Sequence, residues 1–163
     1  MIISGGKFMY IRRFKEEDAE TVSRLVRRNL LEINIKDYPK EDMIEFADYY
    51  NPETIKKVAS EGHMYIACEN DKIIGCGAVT VLNREKESII VTFFILPEYH
   101  GKGIGKALIQ KLEKDEIFLK SERVQVNASL GSHIFYKKMG YEYRGGIENS
   151  CDGEHYEMEK FNK

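Results

Sequence analysis

The chain has 163 residues, 42% of them hydrophobic and 32% charged, with a formal net charge of −2. It is too apolar for disorder and too evenly charged for a dedicated polyanion binder, so one compact domain over residues 1–163 is expected, with neither nucleic acid nor membrane as a partner. No apolar run approaches the ~18 residues that span a bilayer and no secretory signal opens the chain, which points to the cytoplasm; three cysteines, Cys68, Cys76 and Cys151, lack C-x-x-C spacing and predict buried thiols with neither disulfide nor metal.

Residues 1–7, with Ser4-Gly5-Gly6 ahead of Met9, read as a disordered lead-in or cloning remnant. Residues 8–14 alternate between apolar and polar types, the period of a strand. Glu16, Glu17 and Asp18 then supply acid to a first helical turn, and Val22, Leu25, Val26, Leu30 and Ile33 recur at helical spacing. Tyr38-Pro39 breaks that helix. A shorter apolar-periodic piece carries Met43, Ile44, Phe46 and Ala47, and Asn51-Pro52 caps another helix that Gly62 ends.

Three β-type runs follow over residues 64–68, 73–82 and 88–96, joined by the polar turns Asn70-Asp71 and Asn83-Arg84-Glu85. Connections this short predict an antiparallel meander. Pro97 stops the third run, and Ile104, Ala107, Leu108 and Leu112 form one face of a helix that starts among glycines. Residues 124–126 read as a strand, 130–139 as a helix closed by Gly140, and 141–144 and 154–161 as two strands about a turn at Asp152-Gly153. The order predicts an α+β fold. Its mixed, mostly antiparallel central sheet has about seven strands flanked by about four helices, with one parallel pair where the glycine-led helix joins strand to strand.

That helix is the chemical signal. In His100-Gly101-Lys102-Gly103-Ile104-Gly105-Lys106, a strand runs into glycines and then a helix N-terminus, whose free amides and dipole of roughly +0.5 charge suit a phosphate. Glycines let backbone approach a ligand closely, and Lys102 and Lys106 add positive charge. A Walker loop needs four residues before Gly-Lys-Ser/Thr; here 101 to 105 encloses three, and Ala107 replaces the hydroxyl. A dinucleotide fingerprint would need glycine where Lys106 stands, within a βαβ unit rather than after a meander. A plain glycine-rich turn opening a helix also fits.

The stretch Ile95-Leu96-Pro97-Glu98-Tyr99-His100-Gly101-Lys102-Gly103-Ile104-Gly105 resembles the Q/R-x-x-G-x-G/A segment of the GNAT acetyltransferases. His100 stands where Arg or Gln is usual. Asn127-Ala128-Ser129 and Ile134-Phe135-Tyr136-Lys137-Lys138-Met139-Gly140-Tyr141 resemble that family's strand-end Asn and its A-x-x-F-Y-x-x-x-G-F/Y segment, and the order of elements agrees from Met9 to Phe161. The resemblance implies an N-acetyltransferase that takes acetyl-coenzyme A as cosubstrate and passes its acetyl group directly to a primary amine, on a small molecule or a peptide, within a ternary complex. A homodimer is common among such relatives. It further implies that Phe94, Ile95 and Leu96 hold pantetheine where their strand bulges and splays from residues 124–127. His100, Gly101, Lys102, Gly103, Ile104, Gly105 and Lys106 would cradle the pyrophosphate, Asn127 would contact the pantetheine arm, and Tyr136 would be the catalytic residue beside the sulfur.

By their residue types alone, Tyr136 also fits a core aromatic and Asn127 a cap or turn. Residues 88–96 hold no carboxylate, which leaves Glu87, His155, Glu157 or water as general base. The resemblance puts the acceptor between residues 34–50 and 143–155, where Asp37, Tyr38, Glu45, Asp48, Tyr49 and Tyr50 could receive a cation, or could equally make a solvated acidic face with aromatic core contacts. A module that binds acyl-coenzyme A without turnover is the alternative.

Overall fold

A computed structural model of the protein describes residues 2–4, 7–83 and 86–162. Strands β1 (Ile2–Ser4) and β2 (Lys7–Arg13) lead into a 3₁₀ turn (Glu16–Asp18) and the helices α1 (Ala19–Glu32), α2 (Lys40–Tyr49) and α3 (Pro52–Glu61). The meander follows as β3 (Gly62–Glu69), β4 (Lys72–Val81) and β5 (Glu87–Ile95). Then come α4 (Ile104–Leu112), α5 (Glu116–Lys120), β6 (Arg123–Ala128), α6 (His133–Lys138), β7 (Glu142–Tyr143) and β8 (Tyr156–Phe161). No helix among the described residues is long and apolar enough to cross a membrane.

One sheet holds all eight strands in the order β1-β2-β3-β4-β5-β6-β8-β7. The β5–β6 pair is parallel, with α4 and α5 carrying the chain back along the sheet between them, and the other neighbours are antiparallel. The predicted α+β architecture is therefore observed. Consecutive residues of β5 face opposite sides of the sheet: Phe93 points to α4 and α6, and Phe94 to Tyr50 at the α2–α3 junction. The core is continuous across both layers, from Val22, Val26 and Ile55 to Leu108, Leu112 and Met158, all fully buried.

Several expectations need correction. Ile2–Ser4 is no disordered lead-in, since it pairs with β2 (Ile2↔Met9, Ser4↔Lys7) and covers what would otherwise be an unpaired strand edge. Met1, Gly5 and Gly6, and Arg84 and Glu85 of the predicted turn, lie outside the described residues. With that strand the sheet has eight strands, and six α-helices are present, among the described residues, within the expected architecture. The predicted 130–139 helix shortens to α6, and the 141–144 strand to two residues, because Arg144 enters a 3₁₀ turn with Gly145 at φ 65°.

Helix α5 escapes periodicity because it is little more than one turn, and its cap makes it. Asp115 accepts a hydrogen bond from the Ile117 amide (2.8 Å), and its buried carboxylate also takes Tyr65 Oη (2.7 Å) and His63 Nδ1 (2.8 Å). Burial alone would raise the Asp115 carboxyl; the bonds from Tyr65, the Ile117 amide and His63 outweigh it and hold the group below its ordinary value. We expect Asp115→Ala to cost about 2–4 kcal/mol in urea unfolding, for the lost cap and two stranded donors. A carboxyl depressed in the folded state stabilises above its unfolded value of about 4 and less as pH falls through the folded one, so Asp115→Asn should flatten the acid limb of stability against pH. A wild-type slope in that variant would exclude the network as an acid-labile tie.

Candidate functional site

The site begins with an irregularity in β5. Gly75 opposes Ile95 and Cys76 opposes Phe94, yet Ala78 opposes Val91, so Thr92 and Phe93 together face Gly77. This is a β-bulge, and Thr92 carries it at φ 54°, an uncommon conformation for a β-branched residue. The Cys76 thiol donates to the Thr92 carbonyl (3.3 Å), and burial pushes that thiol's pKa up to about 12, so it stays protonated as a donor. The two glycines of β4 make the bulge possible. A Cβ on Gly77 would lie 2.8 Å from the Phe93 ring, and one on Gly75 would lie 2.7 Å from the Ile95 side chain.

The parallel ladder ends just before the bulge. β5 pairs with β6 only from Glu87↔Arg123 to Ile90↔Val126, whereas β6 stays with β8 through Ala128↔Tyr156. A wedge opens between residues 91–95 and 127–128, and backbone groups along it are free of the sheet. The splay that the family resemblance implies is present.

At the open end, Pro97–Tyr99 forms a 3₁₀ turn, Gly101 and Gly103 take φ of 75° and 82°, and α4 starts at Gly103 with no side-chain cap. A Cβ on either glycine would meet nothing within 4 Å, so the cradle is open and the first-turn amides of α4 face outward unclaimed. Gly105 differs from these two. Its φ is ordinary, but a Cβ there would lie 3.1 Å from Phe135, so its glycine serves the α4–α6 contact. The Lys102 ammonium sits 5.3 Å over the Tyr99 ring, and Lys106 is exposed. His100 turns back, its Nε2 donating to the Ile95 carbonyl at 2.8 Å, so this side chain ties the cradle to the end of β5.

Tyr136 is 4% exposed and packs on Phe93, Phe135 and Tyr141 with ring centroids at 5.9, 5.1 and 5.9 Å. Burial alone raises its phenol well above the ordinary value. Asn127 is exposed at the wedge, with Oδ1 accepting from Gln125 Nε2 (2.9 Å). Among the base candidates, Glu87 lies five residues before Thr92, about 16 Å at ~3.3 Å per residue, too far to serve the wedge. Glu157 opposes Asn127 in register but binds Arg144 (3.0 Å), and His155 precedes it on the same edge.

The two segments expected to flank an acceptor are joined by Tyr38. Its hydroxyl accepts from the Leu130 amide (3.0 Å) and donates to the Glu154 carbonyl (2.7 Å), linking the α1–α2 connection to the β6–α6 and β7–β8 loops. Asp37 lies beside it, 2.9 Å from where a Gly131 Cβ would stand, and the Tyr50 ring packs edge-on against Phe94 (6.3 Å between centroids). Glu45, Asp48 and Tyr49 instead face solvent, Asp48 paired with Arg27. Sequence reasoning missed Thr92, Cys76 and Gly77, although two glycines inside the β4 run were a readable sign of close backbone approach.

Residues 34–160 match the acetyltransferase (GNAT) domain family. The chain is 27% identical over 101 residues to a beta-lysine N(6)-acetyltransferase of Methanococcus maripaludis, covering 60% of this chain and 37% of that protein. It is 26% identical over 106 residues to the N-acetyltransferase YodP of Bacillus subtilis, covering 63% and 38%. It thus spans under two fifths of the length of these curated relatives. The PaiA N-acetyltransferase of Thermoplasma acidophilum, solved in complex with coenzyme A, has the same fold, with a TM-score of 0.78 at 22% identity over 95% of this chain and 99% of that one.

The glycines separate by mechanism. We expect Gly77→Ala to destabilise by about 1–3 kcal/mol through overpacking against Phe93, and Gly103→Ala by about 1 kcal/mol through its backbone alone, in denaturant unfolding. A neutral Gly77→Ala would mean that the bulge does not need the space.

Proposed function

Because the chain belongs to the acetyltransferase (GNAT) domain family, we propose that it is an N-acetyltransferase that moves an acetyl group from acetyl-coenzyme A to a primary amine by direct attack in a ternary complex. The observation that carries this reading is the uncapped N-terminus of α4, set where a bulged β5 parts from β6. Acetyl-coenzyme A is long and has two unlike ends, and the site offers both kinds of partner: free strand backbone for the pantetheine amides and helix-terminal amides for the pyrophosphate. On this reading the backbone of Phe94, Ile95 and Leu96 and the side chain of Asn127 hold the arm. The amides of residues 101–106 hold the pyrophosphate, with Lys102 and Lys106 adding charge. His100 acts indirectly, by fixing the cradle against the Ile95 carbonyl.

The reaction needs an unprotonated amine, a polarised thioester carbonyl and relief of charge on the departing sulfur. An amide freed by the bulge polarises the thioester oxygen. Tyr136 stands at the sulfur. A phenol at its reference value near 10 is already a weaker acid than a thiol near 8.5, about 2 kcal/mol uphill for full transfer, and burial widens that gap. Tyr136 therefore donates a hydrogen bond to the developing thiolate and keeps its proton, and the thiolate is protonated from solvent. With Glu87 remote and Glu157 held by Arg144, the amine loses its proton to water. The acceptor is an amine presented between the segments that Tyr38 joins.

Two measurements test the reading. Acetyl-coenzyme A at 100 times its Kd should stabilise the protein by about 2.7 kcal/mol, with ATP and NAD without effect; no response to any acyl-coenzyme A would end the proposal. Tyr136→Phe should lower kcat on the order of 10²-fold while acetyl-coenzyme A affinity stays within about twofold. An unchanged kcat would take Tyr136 out of the mechanism, and binding without thiol release across an amine panel would make the chain a sensor.

A further inference from the structure

Between β7 and β8 the chain makes a turn of three successive left-handed residues, Cys151 (φ 47°), Asp152 (61°) and Gly153 (87°). Only the glycine adopts this conformation freely, so Cys151 is held there at a cost of about 1–2 kcal/mol. The turn is closed by the amides of Gly153 and His155 on the Ser150 carbonyl (3.0 and 3.2 Å) and by the Cys151 amide on Asn149 Oδ1 (3.0 Å). Its result is to bring Cys151 back over the start of β8. His155 and Glu157, two residues apart at the start of that strand, project from the same face. The Cys151 sulfur, an imidazole nitrogen of His155 and a carboxylate oxygen of Glu157 all lie within 4.8 Å of one another, and all three residues are half-buried.

Thiolate, imidazole and carboxylate together suit a borderline divalent ion such as Zn²⁺ and disfavour Mg²⁺ and Ca²⁺, which take oxygen ligands. With metal–ligand bonds of about 2.0–2.3 Å, ligand atoms of a tetrahedral ion stand roughly 3.3–3.8 Å apart, so atoms within 4.8 Å of one another need to close by about 1 Å. Arg144 occupies one oxygen of Glu157 (3.0 Å) and leaves the other free to ligate. We propose that Cys151, His155 and Glu157 bind one Zn²⁺-class ion, with water in the fourth position. The C-x₃-H-x-E spacing gives no C-x-x-C signal, which is why cysteine counting predicts no metal. The bound ion staples the β7–β8 loop to its strand. That loop carries the Glu154 carbonyl to which Tyr38 is tied, so the ion also steadies one wall of the cleft. The site stands independently of acetyl transfer.

Cobalt(II) is the probe, added to the full untagged chain after chelator treatment. Cys68 and Cys76 are 1% and 0% exposed, so a thiolate-to-cobalt charge-transfer band reports Cys151. We expect one cobalt per chain, displacement by Zn²⁺ and not by Mg²⁺, loss of the band in Cys151→Ser, and at least tenfold weaker binding in His155→Ala and Glu157→Ala. Zinc addition to the wild type should release the thiol proton, a readout that needs no variant. Absence of the band and of proton release, or a band that survives Cys151→Ser, would overturn the site. Acetyl-coenzyme A binding measured on the same samples keeps this result apart from the catalytic reading.

Discussion

The extra residue in β5 organises the molecule. A strand in regular register with β4 would continue its parallel ladder with β6, and the sheet would close over the cleft. The bulge at Thr92 bends β5 away, ends that ladder after Ile90 and aims the free end of the strand at the N-terminus of α4. Left-handed backbone at a threonine is costly, of order 1–3 kcal/mol, and persists only where its surroundings over-determine it. Here the surroundings are identifiable: the Cys76 thiol on the Thr92 carbonyl, and Gly75 and Gly77 yielding space to Ile95 and Phe93.

The same bulge fixes Tyr136. Phe93 packs over Gly77, Phe135 packs over Gly105, and Tyr136 rests against both rings. The tyrosine is thus held by aromatic packing, and its burial raises the phenol above its ordinary value. Such a phenol is a fixed hydrogen-bond donor. In the proposed reaction it suits stabilisation of a leaving thiolate better than delivery of a proton to it.

Electrostatics around the cradle follow a similar division between backbone and side chain. His100 spends its Nε2 proton on the Ile95 carbonyl, and Lys102 lies over the Tyr99 ring. The open amides of the α4 terminus are consequently the most directional donors at the mouth. Tyr38 gathers three loops that are far apart in the chain into one mechanical unit, so changes at Glu154 or Leu130 reach the α1–α2 connection.

The elements with many residues per period were legible in the amino-acid sequence: α1, the meander, α4 and the strand order that follows from short connections. So was the glycine-led start of α4, because glycines ahead of an amphipathic helix mark its N-terminus. Helix α5 and strand β1 were not, since a five-residue helix and a three-residue strand hold too little pattern, and partners elsewhere in the chain decide both. The bulge also hid, because its residue is a threonine and partners on the neighbouring strand, Cys76 and Gly77, accommodate its conformation. That Glu87 lies far from Thr92, that Gly105 serves packing while Gly101 and Gly103 face open space, and that Cys151 meets His155 and Glu157 were all decided by the tertiary structure. Local periodicity follows from neighbours in the chain; these distances follow from how the chain returns upon itself.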